Sequence, residues 1–208
     1  MRRPIRWPLF LFVLFIPILG SCADKPDLER ARRLLDESIL IDGHNDLPWA
    51  IRDDKKTPGD IVAYDLRKRT AGQTDIPRLK EGRVGAQFWS VYIPGELAGG
   101  FARTQLEQID LARRVLARYP DTFQLTGTVA EIRAAHSAGR IASLLGIEGG
   151  HAIEDSLGAL RAYYALGVRY MTLTHNTHTA WADSAAQMPP AHGGLSAFGE
   201  GSAHAVCV

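Results

Sequence analysis

Cysteine is scarce in this chain: only Cys22 and Cys207 occur in 208 residues, so no disulfide framework staples the fold. Stability has to come from a core, and with 46% hydrophobic and 23% charged residues the composition is that of one globular domain, neither disordered nor fibrous. An excess of positive charge is also lacking. The formal net charge of +1 includes Arg2, Arg3 and Arg6, and without that first segment the balance turns negative, so nucleic acid is not an expected partner. No long apolar run is present either: Leu9 to Leu19, broken by Pro17, falls short of the roughly 20 residues that span a bilayer. Sequence repeats and low-complexity segments are absent.

What the amino terminus does contain is an export pattern, with basic residues, an apolar run and then small residues before Cys22. The junction Leu19, Gly20, Ser21, Cys22 resembles a bacterial lipobox, in which the cysteine thiol is lipidated; an ordinary signal peptide with a chance cysteine is the alternative. Residues 1–21 are therefore expected to be a lipoprotein-type signal peptide and 22–33 a tether. The expected location is the bacterial cell envelope, on a lipid anchor at Cys22. Ala23 after the cysteine points to an outer membrane, facing the periplasm, if the source is Gram-negative. With Cys22 acylated, Cys207 has no partner within the chain.

Beyond the tether, apolar runs alternate with amphipathic stretches. Helical spacing over Leu28 to Ser38 precedes a first strand, Ile39 to Ile41, which ends in Asp42, Gly43, His44, Asn45, Asp46. Arg52 to Asp60 reads as loop, Ile76 to Gly82 as a short helix or turn, and Val84 to Ile93 as a second strand stopped by Pro94 and Gly95. Thr104 to Tyr119 is an amphipathic helix, and Thr128 to Ala138 another, opened by a Thr128–Glu131 capping box. A third strand, Ile141 to Ile147, runs into Glu148, Gly149, Gly150, His151; a helix follows from about Ser156 to Leu166, and a fourth strand, Val168 to Thr174, ends at His175. This alternation predicts an α/β fold with a parallel sheet, and ionisable residues gathered at the carboxyl ends of strands are what the mouth of a barrel presents.

The chemistry concentrates at those strand ends. Residues two apart on a strand project together, so His44 and Asp46 converge while Asn45 faces the other way. An imidazole and a carboxylate suit zinc, manganese or iron, although a His-X-Asp pair alone is more commonly an ordinary hydrogen-bonded pair. Glu148 adds a second carboxylate at the end of another apolar strand, beside two glycines that permit a tight turn. Its two oxygens can bridge a pair of metal ions about 3.5 to 4 Å apart. His175 would face the same mouth unless it is a core histidine; His151 reads as an outer partner or the start of the next helix. His178, Trp181 and Asp183 lie in the loop that follows, where exposure is the default.

The stretches Ile41 to Pro48 (IDGHNDLP), Thr74 to Ser90 (TDIPRLKEGRVGAQFWS), Gly146 to His151 (GIEGGH) and Gly167 to His175 (GVRYMTLTH) resemble the membrane, or renal, dipeptidase family, in order, over roughly Leu34 to Phe198. The resemblance implies a (β/α)8 TIM barrel of the metal-dependent hydrolase type with two zinc ions, and a homodimer in the full-length family. Position by position, it makes His44 and Asp46 ligands of one zinc and Glu148 the carboxylate that bridges both. His175 becomes the histidine that contacts substrate and steadies the tetrahedral intermediate, so Glu148 and His175 carry the catalysis. The implied reaction is attack of a metal-bound hydroxide on the peptide carbonyl of a dipeptide.

The resemblance also calls for two further zinc-binding histidines and a proton-handling aspartate on later strands, and no apolar strand follows Gly199. The chain is thus expected to hold only the first half of the barrel, about four βα units, where a complete barrel takes about 250 residues. The barrel part is placed at 34–199 and a truncated or aberrant tail at 200–208. Open sheet edges in such a half are expected to favour self-association. His192 and His204, in Gly- and Ala-rich sequence, read as loop histidines rather than substitute ligands. Two readings stand: a zinc metallodipeptidase by family, held here as an incomplete chain whose own activity is left open, and a lipid-anchored metal- or peptide-binding protein without turnover.

Overall fold

Apolar runs that stop at polar clusters become strands in the computed structural model, which describes residues 25–206. The signal-peptide reading of 1–21 and the lipidation of Cys22 lie outside the described residues. Helix α1, Lys25–Glu37, leads into strand β1, Leu40–Asn45, and helix α2, Leu47–Arg52, follows directly. Helix α3, Ile76–Glu81, precedes β2, Val84–Ser90; α4, Phe101–Arg118, precedes β3, Phe123–Leu125; and α5, Val129–Ser137, precedes β4, Ile141–Ile147. A 3-10 turn over Gly150–Ile153, helix α6 at Leu157–Ala165, strand β5 at Val168–Met171 and helix α7 at Ala197–Val206 complete the order.

All strand pairs are parallel. The order runs β1-β2-β4, and β3 and β5 divide the length of β4 between them, β3 along Ile141–Ser143 and β5 along Leu145–Ile147. Every residue of β4 is buried, as expected of a central strand without a polar face. Parallel strands joined through helices are the unit from which a (β/α)8 barrel is built. One face of the sheet packs on α4 through Trp89, Leu145, Ile147, Ile109, Val115 and Leu116, with the Trp89 ring edge-on to Phe123 at 5.5 Å. Burying each such large apolar side chain contributes about 1.5–3 kcal/mol.

Several sequence expectations are corrected. The sheet has a fifth strand, Phe123–Leu125, too short to show a pattern between Pro120 and Gly127. Strand β2 ends at Ser90 rather than Ile93, and β5 at Met171 rather than Thr174. In both, one more amide still bonds to β4, Val91 N to Gly146 O at 2.8 Å and Thr172 N to Ile147 O at 3.0 Å, before the chain turns away. The first helix begins at Lys25 rather than Leu28, and α7 runs from Ala197 through Val206, where no helix was expected. Helix α4 starts at Phe101, ahead of Thr104, because the carboxylate of distant Glu154 accepts a hydrogen bond from the Phe101 amide at 2.8 Å. No helix among the described residues is long and apolar enough to cross a membrane.

Candidate metal centre

Alternation along the strands puts one set of residues on the face opposite α4. Ser90 is in register with Gly146, and Gly146 with Tyr170, so the positions two residues away, Phe88 on β2 and Glu148 just past β4, share that face. His44 at the end of β1 meets them there. Its Nε2 lies 3.0 Å from Oδ1 of Asp46 and 3.4 Å from Oε2 of Glu148. One donor atom from each of His44, Asp46 and Glu148 lies within 4.8 Å of the others. Two carboxylates facing one imidazole nitrogen at this range repel each other unless a cation stands between them. A nitrogen–oxygen set of this kind fits a borderline divalent ion such as zinc.

Glu148 is fixed at both oxygens. The Ser90 hydroxyl donates to Oε2 at 3.0 Å, and Nε2 of His175 lies 3.2 Å from Oε1. The turn after Glu148 depends on glycine. Gly149 has a φ of +109°, and its amide donates to the Thr172 hydroxyl at 2.6 Å, which ties the β4 turn to β5. Around these candidate ligands, Tyr92 stands edge-on to both Trp49 and His175, with ring centroids 5.1 Å apart in each pair. Burial, then the nearby carboxylates of Glu96, Glu148 and Asp46, raise the Tyr92 hydroxyl above its ordinary value. Burial, reinforced by Glu148, Asp46 and Asp42, pushes the Tyr170 hydroxyl up to about 12, so it stays protonated. A cavity bordered by His44, Asp46, Tyr64 and Thr74 opens beside the candidate ligands.

The structure thus brings together His44, Asp46, Glu148 and His175 and turns Asn45 away. The Asn45 side-chain oxygen, Oδ1, accepts from the Leu47 amide at 3.0 Å and the Thr74 hydroxyl at 3.1 Å. His151 points elsewhere, its Nε2 donating to the Ile93 carbonyl at 3.1 Å, and burial holds it below the usual histidine range. His178 and Asp183 organise their own loop. The Ser184 amide donates to His178 Nδ1, and His178 Nε2 donates to the Pro189 carbonyl. Burial opposes ionisation of Asp183, but amides of Gly194, Ala191 and His192 outweigh it and hold the carboxyl at about 2. Trp181, read as loop, is 1% exposed and packs on Phe198. His192 Nε2 donates to the Thr179 carbonyl, as a loop histidine should; His204 lies on α7, its side chain outside the described residues.

Sequence reading missed Ser90, Tyr92 and Tyr170. Only the alternation of β2 and β5 could have found them, by counting back from the strand ends.

The family model for membrane dipeptidase, peptidase family M19, matches residues 28–204. Dipeptidase verJ of Clonostachys rogersoniana is 41% identical, the match covering 88% of this chain and 50% of that protein. Dipeptidase 3 of Mus musculus is 42% identical over 83% of this chain and 35% of its own length. The chain therefore spans half or less of these relatives. A solved metallo peptidase from Rhodobacter sphaeroides, liganded with a phosphinate mimic of the dipeptide L-Ala-D-Ala, shares the fold at a TM-score of 0.65 and 22% identity, covering 77% of this chain and 53% of that one. With ligand geometry, fold and family match in agreement, the chain belongs to the membrane dipeptidase family.

Proposed function

We propose that the His44, Asp46 and Glu148 site holds zinc and serves the hydrolysis of dipeptides. The convergence of three donor atoms within 4.8 Å carries this reading. The 41–42% identity to dipeptidases and the dipeptide mimic in a solved relative support the substrate class. Bound zinc would act as a Lewis acid toward water and the peptide carbonyl. The protein's own part is orientation. Ser90 and His175 fix the plane of the Glu148 carboxylate from opposite sides, so its oxygens are presented without a search over rotamers. His175, braced by Tyr92, is the residue we assign to meet the negative charge that develops on the carbonyl oxygen. Lipid attachment at Cys22, and with it a place in the cell envelope, belongs to the same proposal.

One observation favours a second reading. Among the described residues, His44, Asp46 and Glu148 are the one group of ligands, and His151, His178 and His192 are engaged with backbone groups elsewhere. A protein that binds one ion or a peptide without turnover would use this same site. Zinc content after dialysis, measured together with hydrolysis of a simple dipeptide, separates the two. Two ions per chain with turnover supports the enzyme; one ion without turnover supports the binding protein; no retained ion overturns both metal readings.

A further inference from the structure

Gly146 on β4 is the register partner of Tyr170 on β5, and its missing side chain is what admits the tyrosine ring. A Cβ at Gly146 would stand 2.0 Å from Cζ of Tyr170 and 2.4 and 2.5 Å from the two Cε atoms, closer than any real contact. Phe88 confines the ring further, with centroids 5.3 Å apart. Held in this slot, the phenol oxygen of Tyr170 lies 3.3 Å from Nδ1 of His44. That is the nitrogen remote from Asp46 and Glu148, and the His44 ring is otherwise 44% exposed. An imidazole that offers the lone pair of Nε2 to a cation carries its proton on Nδ1, so the Tyr170 oxygen is placed to accept it.

We propose that Tyr170 is a positioning residue for His44, seated by Gly146, which fixes the tautomer and the ring direction with which His44 addresses the metal. The role rests on the metal reading above. It acts through His44 and touches neither ion nor substrate. Metal-ligating histidines commonly have such an outer partner, and its loss typically weakens metal affinity by about 10–100-fold.

The test is titration of the purified chain with Zn2+ and with Co2+, whose visible absorption reports ligand geometry. Tyr170→Phe keeps the ring in its slot and removes only the oxygen; we expect affinity to fall at least about tenfold and the cobalt bands to shift, with the thermal melt of the metal-free chain little changed. Gly146→Ala should cause a similar loss by expelling the ring. In a Tyr170→Ala background it should cost nothing further, because the clash is gone. Wild-type affinity and an unchanged cobalt spectrum in Tyr170→Phe would overturn the positioning role and leave the metal site standing. Equal cost of Gly146→Ala in both backgrounds would overturn the seating by Gly146. A wild-type chain that binds neither ion would overturn the metal reading and the role of Tyr170 with it.

Discussion

Nε2 of His44, on β1, and Oε2 of Glu148, past the end of β4, lie 3.4 Å apart across the width of β2. Residues from strands that are not neighbours meet only because the strand between them offers Ser90, whose small hydroxyl donates to Glu148 instead of filling the gap.

Glu148→Gln tests that convergence directly. The amide keeps the shape and loses the charge, so the fold should survive while the donor set does not. Zinc at about 100 times its dissociation constant should stabilise the wild-type chain by about 2.7 kcal/mol, reversed by a chelator. The variant should show no such shift in its melting temperature. If zinc raises both melting temperatures equally, Glu148 is not a ligand.

Gly150 and Gly158 make an opposed pair. A Cβ at Gly150 would sit 2.4 Å from the buried Trp181 ring and 2.5 Å from the Leu173 carbonyl oxygen, and neither can give way. Gly150→Ala should therefore cost about 1–3 kcal/mol of overpacking in urea denaturation. Gly158, on α6, meets only Ser156 Oγ at 3.4 Å. There alanine should be neutral or stabilising, by up to about 1 kcal/mol. Equal effects at the two sites would contradict this account.

What could be read from the residues alone follows from range. His44, Asp46, Glu148 and His175 were legible because each ends an apolar run, a local pattern. The capping box of Thr128 and Glu131 was legible for the same reason. Tyr170 was not, because an aromatic residue within a strand reads as core; only the cross-strand register with Gly146 turns its hydroxyl toward His44. The start of α4 was missed because its cap, Glu154, comes from a distant part of the chain. Strand β3, at three residues, is defined by the edge of β4 it lies on rather than by its own sequence.

The local cap can be weighed. Thr128 Oγ1 accepts from the Glu131 amide at 3.2 Å, and Oε2 of Glu131 accepts from the amides of Thr128 at 3.0 Å and Gly127 at 2.7 Å. Thr128→Ala removes one half of this exchange and should cost about 1 kcal/mol. Since α5 packs near the amino-terminal ends of β2 and β4, through Ala135 against Ala86 and Ala142, while the candidate ligands lie at the carboxyl ends of the strands, zinc affinity should not change. A variant that loses zinc binding would show the cap to be coupled to the site.

Asp75 gives the sharpest pH signature. It is fully buried, and its carboxylate accepts from the Arg78 amide at 2.9 Å, Arg78 Nε at 2.7 Å and the Thr70 amide at 3.1 Å. Burial opposes ionisation, but these donors outweigh it and leave the carboxyl below its ordinary value. The unfolded chain titrates Asp75 near about 3.9, the folded chain lower, so protons favour the unfolded state between the two values. The stabilisation is complete above the unfolded value and is lost as pH falls through the folded one. Asp75→Asn cannot ionise and leaves Arg78 without its carboxylate, so near neutral pH it should be less stable by about 3–5 kcal/mol. The gap from wild type should narrow as pH drops below about 4. Urea midpoints measured from pH 7 downward decide it. A gap that stays constant to the lowest pH at which both chains fold would mean that Asp75 contributes shape and hydrogen bonds, not charge. The loop it pins, which presents Thr74 to Asn45 beside the candidate ligands, would then be held by packing and hydrogen bonds without a charge term.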